Sequence, residues 1–322
     1  MARLEDLLPS AAIRGLLPEE IVTVVSVWWF GSDALELTYK TATGRLATVL
    51  LYRDDELRFE VVEQGRPWRL GGNGAMIVRE TRAKSILSVS KVYDYALNPY
   101  TGCEHACSYC YARFMKRFTG HKEPWGEFVD AKINAPDLLP LEIDRKKRGT
   151  VWVSGVCDPY QPLEAHFNLT RRCLEILAHS QWPVRVQTRS PLVLRDMDIL
   201  KEAHDLEVGL SVTTADDGIR RLFEPRAPSI GDRLKALDEL HKHGVRTFAM
   251  VAPILPGAEG LGELLMGKVD YLLVDRMNYD YGAWVYRKHG LEDKLTDDFF
   301  RRTAQGLSST CRELGIACRV VF

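Results

Sequence analysis

The chain has 322 residues, a net charge of -1, and 46% hydrophobic and 27% charged content, the balance of a soluble globular protein that can bury a large core without disulfides. No apolar run approaches the ~20 residues that cross a bilayer, and the near-neutral charge leaves attraction to nucleic acid to local basic patches alone. The opening segment lacks a basic-then-apolar leader, and the seven cysteines are odd in number and clustered, which together predict a cytoplasmic location and reduced thiols serving a metal or chemistry.

Residues 1–75 are expected to form a small β-rich domain. Its runs IVTVVSVWWF, ALELTYK, LATVLLYR and LRFEVVEQG are parted by GSD, TATG and DD, a spacing that predicts short strands in an antiparallel sheet or barrel. The glycine-rich RPWRLGGNGAM closes this domain. Over 76–322 apolar runs alternate with amphipathic segments, the mark of βα units around a parallel sheet. Strands are predicted at 92–98, 150–156, 184–190, 206–214, 246–254 and 271–277, with helices in TRRCLEILAHS, VLRDMDILKEAH, IGDRLKALDELHKHG and GLGELLMG. Asn168 or Thr170 is expected to cap the first of these helices and Gly244 to stop the third. The fold class is therefore α/β, a partial (β/α)6 TIM-type barrel in which chemistry sits at the carboxyl ends of the strands. A last helix, TDDFFRRTAQGLSSTCRELG, precedes the apolar IACRVVF.

The loop after the first barrel strand reads NPYTGCEHACSYCYARF, with Cys103, Cys107 and Cys110 spaced four and then three apart. A closed zinc site wants four ligands, whereas three thiolates hold three irons of a [4Fe-4S] cluster and leave the fourth open. Zinc completed by His105, His121 or Cys157 stays as the alternative. With DPYQPLE and VAPILPG, the CxxxCxxC motif makes the chain resemble the radical S-adenosylmethionine (SAM) superfamily, in its spore photoproduct lyase-like branch, over residues 85–280. The resemblance implies a cluster on the three cysteines and SAM bound at the open iron with Tyr109 against its adenine. It further implies reductive cleavage of SAM to a 5'-deoxyadenosyl radical, hydrogen abstraction from a substrate, and a reducing partner of flavodoxin or ferredoxin type. The branch points to a nucleic acid lesion or modified base as substrate. Alternatives are a radical SAM enzyme acting on a peptide or small molecule, and a non-catalytic, metal-stabilised nucleic-acid-binding module.

Other candidates follow from strand ends. SGVCDPYQPLE carries Cys157, Asp158, Tyr160, Gln161 and Glu164 toward the mouth, with Asp158 and Tyr160 as cofactor contacts; an Asp-Pro turn explains the same residues more plainly. Cys157 is a candidate hydrogen donor, although the branch's donor cysteine matches Gly155 instead, and a buried apolar thiol explains it equally. Ser211 and Thr213 share a face by strand alternation, and the resemblance places such groups against the ribose or the methionine carboxylate. Glu224 and Arg226 form a charged loop entering a helix and are candidate site contacts, Glu224 to the cofactor, while Pro253, Pro256, Asp275, Arg276 and Asn278 also end strands. Lys116, Arg117, His121 and Lys122, interleaved with Phe118 and Trp125, suit a phosphate backbone and a stacked base, whereas the 145–148 basic run reads as a solvated face. Cys173, Cys311 and Cys318 read as core.

Overall fold

The computed structural model describes residues 4, 7, 12–17, 20–30, 34–41, 43–63 and 76–322, and the chain divides into the units Met1–Val78 and Arg79–Phe322. In the first unit, β1 (Ala12–Leu17), β2 (Glu20–Phe30), β3 (Ala34–Lys40), β4 (Leu46–Tyr52) and β5 (Glu60–Glu63) form an antiparallel sheet ordered β4-β3-β2-β1-β5. Alternation sets its inner face: Leu35, Leu37 and Tyr39 of β3 are buried between exposed Glu36 and Lys40. They join Leu4, Leu7, Ile13, Val22, Val24, Leu51 and Phe59 in one core. Two details differ from expectation. β1 precedes the first predicted strand, because pairing with both β2 and β5 imposes extension on a segment whose own pattern is interrupted by Gly15. Arg53–Leu57 forms a 3-10 turn, so the last strand begins at Glu60 rather than Leu57. Of the expected glycine-rich break, residues 66–75 lie outside the described residues.

Strand β6 (Ile77–Thr81) spans the boundary between the units, and the second unit then carries β7 (Leu87–Val89), β8 (Tyr95–Leu97), β9 (Tyr100–Thr101) and β10 (Phe128–Lys132). It continues with β11 (Val151–Val153), β12 (Val184–Thr188), β13 (Leu206–Ser211), β14 (Arg246–Val251), β15 (Tyr271–Val274) and β16 (Ala317–Val320). The main sheet is ordered β16-β15-β14-β13-β12-β11-β8-β7. All its pairings are parallel except β7 with β8. The apolar IACRVVF thus adds a parallel strand to the six expected, giving an open, partial barrel. A smaller sheet is ordered β6-β10-β9.

Helices α1 (Ala135–Ile143), α2 (Glu164–Phe167), α3 (Leu169–His179), α4 (Met197–Glu202) and α5 (Asp217–Phe223) are followed by α6 (Ile230–Lys242), α7 (Leu261–Leu265), α8 (Ala283–Lys288) and α9 (Asp297–Glu313). Leu174 and Leu177 of α3, Leu237 and Leu240 of α6, and Ala304 and Leu307 of α9 share one core with Val186, Val208, Ala249 and Leu272 of the strands. A fully buried leucine or valine stabilises by about 1.5–3 kcal/mol. Cys173 and Cys311 are buried in this core, and Cys318 packs half-buried against it.

Gly244 follows α6 with φ +79°, as a helix stop should. The start of α3 departs from expectation. Asn168 caps nothing with its side chain, and the Thr170 hydroxyl donates to the Pro159 carbonyl at 2.6 Å. The free amides of Thr170 and Arg171 are met instead by the Glu164 carboxylate, at 3.0 and 3.1 Å, a cap supplied from α2. In β13, every residue is buried, as in a parallel sheet covered on both faces. Gly209 there pairs with Phe248, and a Cβ on it would stand 2.1 Å from the Phe248 ring. Gly209→Ala is expected to cost about 1–3 kcal/mol, read as a lower urea midpoint at unchanged slope, and Phe248→Leu in the same chain should recover part of the loss.

Candidate active site

The thiol loop hangs from the end of β8 by one amide. The Asn98 side-chain oxygen accepts the Ser154 hydroxyl at 2.6 Å and the Gly155 and Val156 amides at 2.9 Å each, joining the ends of β8 and β11. The next turn needs glycine: Gly102 has φ +95°, and a Cβ there would lie 2.2 Å from the Phe128 carbonyl oxygen. Beyond it, the Glu104 amide donates to Gln161 at 3.0 Å and the Glu104 carboxylate accepts the Leu163 amide at 2.6 Å. The two motif segments are thereby stitched together. Ser108 N–H reaches the Phe223 carbonyl at 2.8 Å.

Cys103, Cys107 and Cys110 line one cavity of about 710 Å³, within the usual range for a small-molecule site. Its wall is drawn from the carboxyl ends of consecutive strands: Cys157 and Asp158 after β11, Arg189 after β12, Ser211 on β13, Pro253 after β14 and Asp275 after β15. Burial raises all three loop thiols, Cys107 to about 12, so each must shed a proton when it ligates. Cys157 is also raised by burial, to about 11, and its sulfur lies 2.9 Å from the Ser154 hydroxyl.

A fully buried carboxylate organises the opposite side. Glu224 accepts the Tyr109 hydroxyl, the Thr213 hydroxyl at 2.9 Å and the Arg233 guanidinium, with Arg189 at 3.5 Å. Burial would raise its pKa, but the charges of Arg233 and Arg189 outweigh burial and hold it at about 2. Asp158 follows the same rule. Burial opposes its charge, yet His105, the Thr188 hydroxyl and the Arg189 amide hold it at about 2. Its oxygens accept Tyr160 N–H at 2.9 Å and Arg189 N–H at 2.7 Å, so the turn function and the cavity position coexist.

Of the candidate residues, the structure brings Cys103, Cys107, Cys110, Tyr109, Cys157, Asp158 and Ser211 to the cavity, together with Pro253, Asp275, Arg276 and Asn278. Tyr160, Thr213 and Glu224 sit behind its wall. Tyr160 is fully buried and donates to Asp196 at 2.9 Å, while Thr213 and Glu224 bond each other. Gln161 and Glu164 are likewise buried supports. Arg226 donates to the Gly126 carbonyl at 2.8 Å, and the Pro256 carbonyl accepts the Thr214 hydroxyl at 2.6 Å. Arg189 was not among the candidates, although its place directly after β12 satisfies the same strand-end rule.

The donor set fits an iron-sulfur cluster. Cys103, Cys107 and Cys110 face one cavity, and a cluster takes one thiolate per iron. His121 is held by Glu123 at 3.1 Å and Asp130 at 2.8 Å, and so offers no free nitrogen to zinc. The buried Ser108 hydroxyl has no hydrogen-bond partner among the described residues, and the His105 imidazole meets the Asp158 carboxylate at 3.3 Å; both side chains belong to the thiol loop. The nearby Trp125 indole opposes, without cancelling, the rise that burial causes at Cys110.

Residues 97–259 match the Radical SAM superfamily, and residues 3–60 match a domain of unknown function, DUF8742. An uncharacterized protein of Methanocaldococcus jannaschii is 35% identical over 57% of this chain and 70% of its own length. An uncharacterized protein of Mycobacterium bovis is 32% identical over 54% of this chain and 53% of its own, so the chain spans about half of that relative. A mutant spore photoproduct lyase with bound AdoMet and dinucleoside spore photoproduct has a TM-score of 0.57 at 15% identity, over 76% of this chain and 81% of that one. At that identity the likeness is one of fold. Partial barrel and thiol cavity together define an enzyme. The chain belongs to the radical SAM superfamily, whose members use a [4Fe-4S] cluster and S-adenosylmethionine and need a reductant. Among the described residues no helix is long and apolar enough to cross a membrane.

Glu224→Ala is expected to cost about 3–5 kcal/mol, because it leaves Arg233 charged and unpaired in the core. The sign of the acid response follows from the lowered pKa. Stability contributed by Glu224 is present above its ordinary value of 4.5 and is lost as pH falls through about 2,. Thermal midpoints across that window should fall less steeply in Glu224→Gln than in the native chain.

Proposed function

We propose that this protein is a cytoplasmic radical SAM enzyme that abstracts hydrogen from a nucleic acid lesion or modified base. The observation that carries the reading is the single cavity in which Cys103, Cys107 and Cys110 face the carboxyl ends of the parallel strands. When bound, the [4Fe-4S] cluster and S-adenosylmethionine supply reductive cleavage of a carbon-sulfur bond and with it a 5'-deoxyadenosyl radical.

The chain's own residues position and shield. The three loop thiols, once deprotonated, hold the irons. Tyr109, fixed by Glu224, and Arg189, Asp158 and Ser211 offer a wall of polar groups against which S-adenosylmethionine is oriented. The electron comes from a partner of flavodoxin or ferredoxin type. The nucleic acid assignment is supported by the fold shared with a lyase solved with a dinucleoside photoproduct and by the aromatic and basic residues beside the cavity.

Cys157 is the hydrogen donor in this reading. Its sulfur lines the cavity and, like any thiol with a pKa well above neutral, carries the hydrogen that a donor must give. The S–H bond breaks homolytically, the hydrogen atom passes to a substrate carbon radical, and one electron from the external reductant with one proton from solvent restores the thiol.

Anaerobic reconstitution with iron and sulfide is expected to give about four irons per chain, and dithionite should then yield 5'-deoxyadenosine. Cys110→Ala should abolish both. Zinc in place of iron, with no cleavage, overturns the reading. Cys157→Ala should leave 5'-deoxyadenosine formation within about two-fold while changing the product distribution, and an unchanged distribution assigns that thiol to the cavity wall only.

A further inference from the structure

Tyrosines line up at the rim of the cavity. The Tyr111 and Tyr279 rings are 6.5 Å apart at 18°, and Tyr279 and Tyr281 are 5.6 Å apart at 8°. The Arg113 guanidinium lies 4.6 Å from the Tyr281 ring centre. Tyr111, Tyr279 and Phe114 line the cavity itself, so the ladder runs from its mouth outward. These rings are not hidden: Tyr279 is 54% exposed and Phe118 67%. Arg117 sits over both Phe114 and Phe118, at 5.6 and 4.7 Å, and Lys116 adjoins it in the same 3-10 segment. Asp280, between the outer two tyrosines in sequence, places a carboxylate in the same turn.

Near-parallel exposed rings present π-faces, and nearby cations suit a backbone of phosphates. A nucleobase fits such a face whatever its edge, at about 1–3 kcal/mol per base. In a duplex those faces are already covered by neighbouring base pairs. We propose that this rim binds an unpaired nucleic-acid strand, with a base stacked at Tyr279, the more exposed of the two outer rings, and the backbone along Lys116 and Arg117. The base next to Tyr111 is then delivered into the cavity. The inference rests on the nucleic-acid reading of the same site and adds the form of nucleic acid that enters it.

The test is fluorescence anisotropy of the full chain with a short labelled oligonucleotide and with its duplex, at low and physiological salt. The single strand is expected to bind more tightly. Tyr279→Ala should weaken it about five- to 150-fold, the equivalent of one stacked base, while Tyr279→Phe, which keeps the ring, stays within about two-fold. Arg117→Gln should weaken binding and reduce the salt slope by about 0.7. Equal or tighter duplex binding, or single-strand affinity unchanged in Tyr279→Ala, overturns the inference. The failures separate cleanly. If nucleic acid stimulates 5'-deoxyadenosine formation while Tyr279→Ala binds normally, the rim assignment alone falls. If only a peptide or small molecule stimulates it, the nucleic-acid reading falls as well.

Discussion

The buried carboxylate of Glu224 is the joint on which the site depends. It gathers a tyrosine from the thiol loop, a threonine just past β13, an arginine from α6 and, at longer range, the arginine that ends β12. Isolated, either charge would be strongly penalised in that interior. Paired, they fix three backbone segments relative to one another, because no member can turn away without leaving a desolvated charge behind. The thiol loop, which has little regular structure of its own, takes its geometry from this joint on one side and from the Asn98 amide on the other.

Architecture that is local or periodic was legible in the sequence. The cysteine spacing stands in a single loop, and the parallel strands are apolar runs because both their faces are covered. What escaped was depth. Alternation correctly pairs Ser211 and Thr213 on one face only while the strand lasts, but β13 ends at Ser211. Past that point the chain turns, so Ser211 reaches the cavity and Thr213 reaches Glu224. Tyr160 shows the same limit: a turn after β11 sends it inward to Asp196, a partner distant in sequence. Arg189 escaped because it was read with its apolar strand, although its place matched the rule applied to its neighbours. The cap of α3 by Glu164 has no local signal, since the carboxylate arrives from the preceding helix.

The cavity divides its labour between a stiff floor and an adaptable rim. At the floor, one Asn98 oxygen takes three donors, and Asp158 is held by Thr188 and Arg189 at the end of β12 and by the amide of Tyr160 in its own turn. Such fully satisfied groups resist rearrangement. At the rim the contacts are ring faces and flexible cations, which tolerate many partners. A rigid floor suits a constant cofactor, and a forgiving rim suits substrates that differ in flanking sequence.

Burial of the loop thiols has a consequence for the protein before its metal arrives. Oxidants and disulfides are attacked by thiolates, not by thiols. Three closely spaced cysteines would ordinarily invite internal cross-linking, yet here burial keeps all of them protonated. Assembly is the event that awakens the sulfurs, since only an incoming cation repays the loss of their protons.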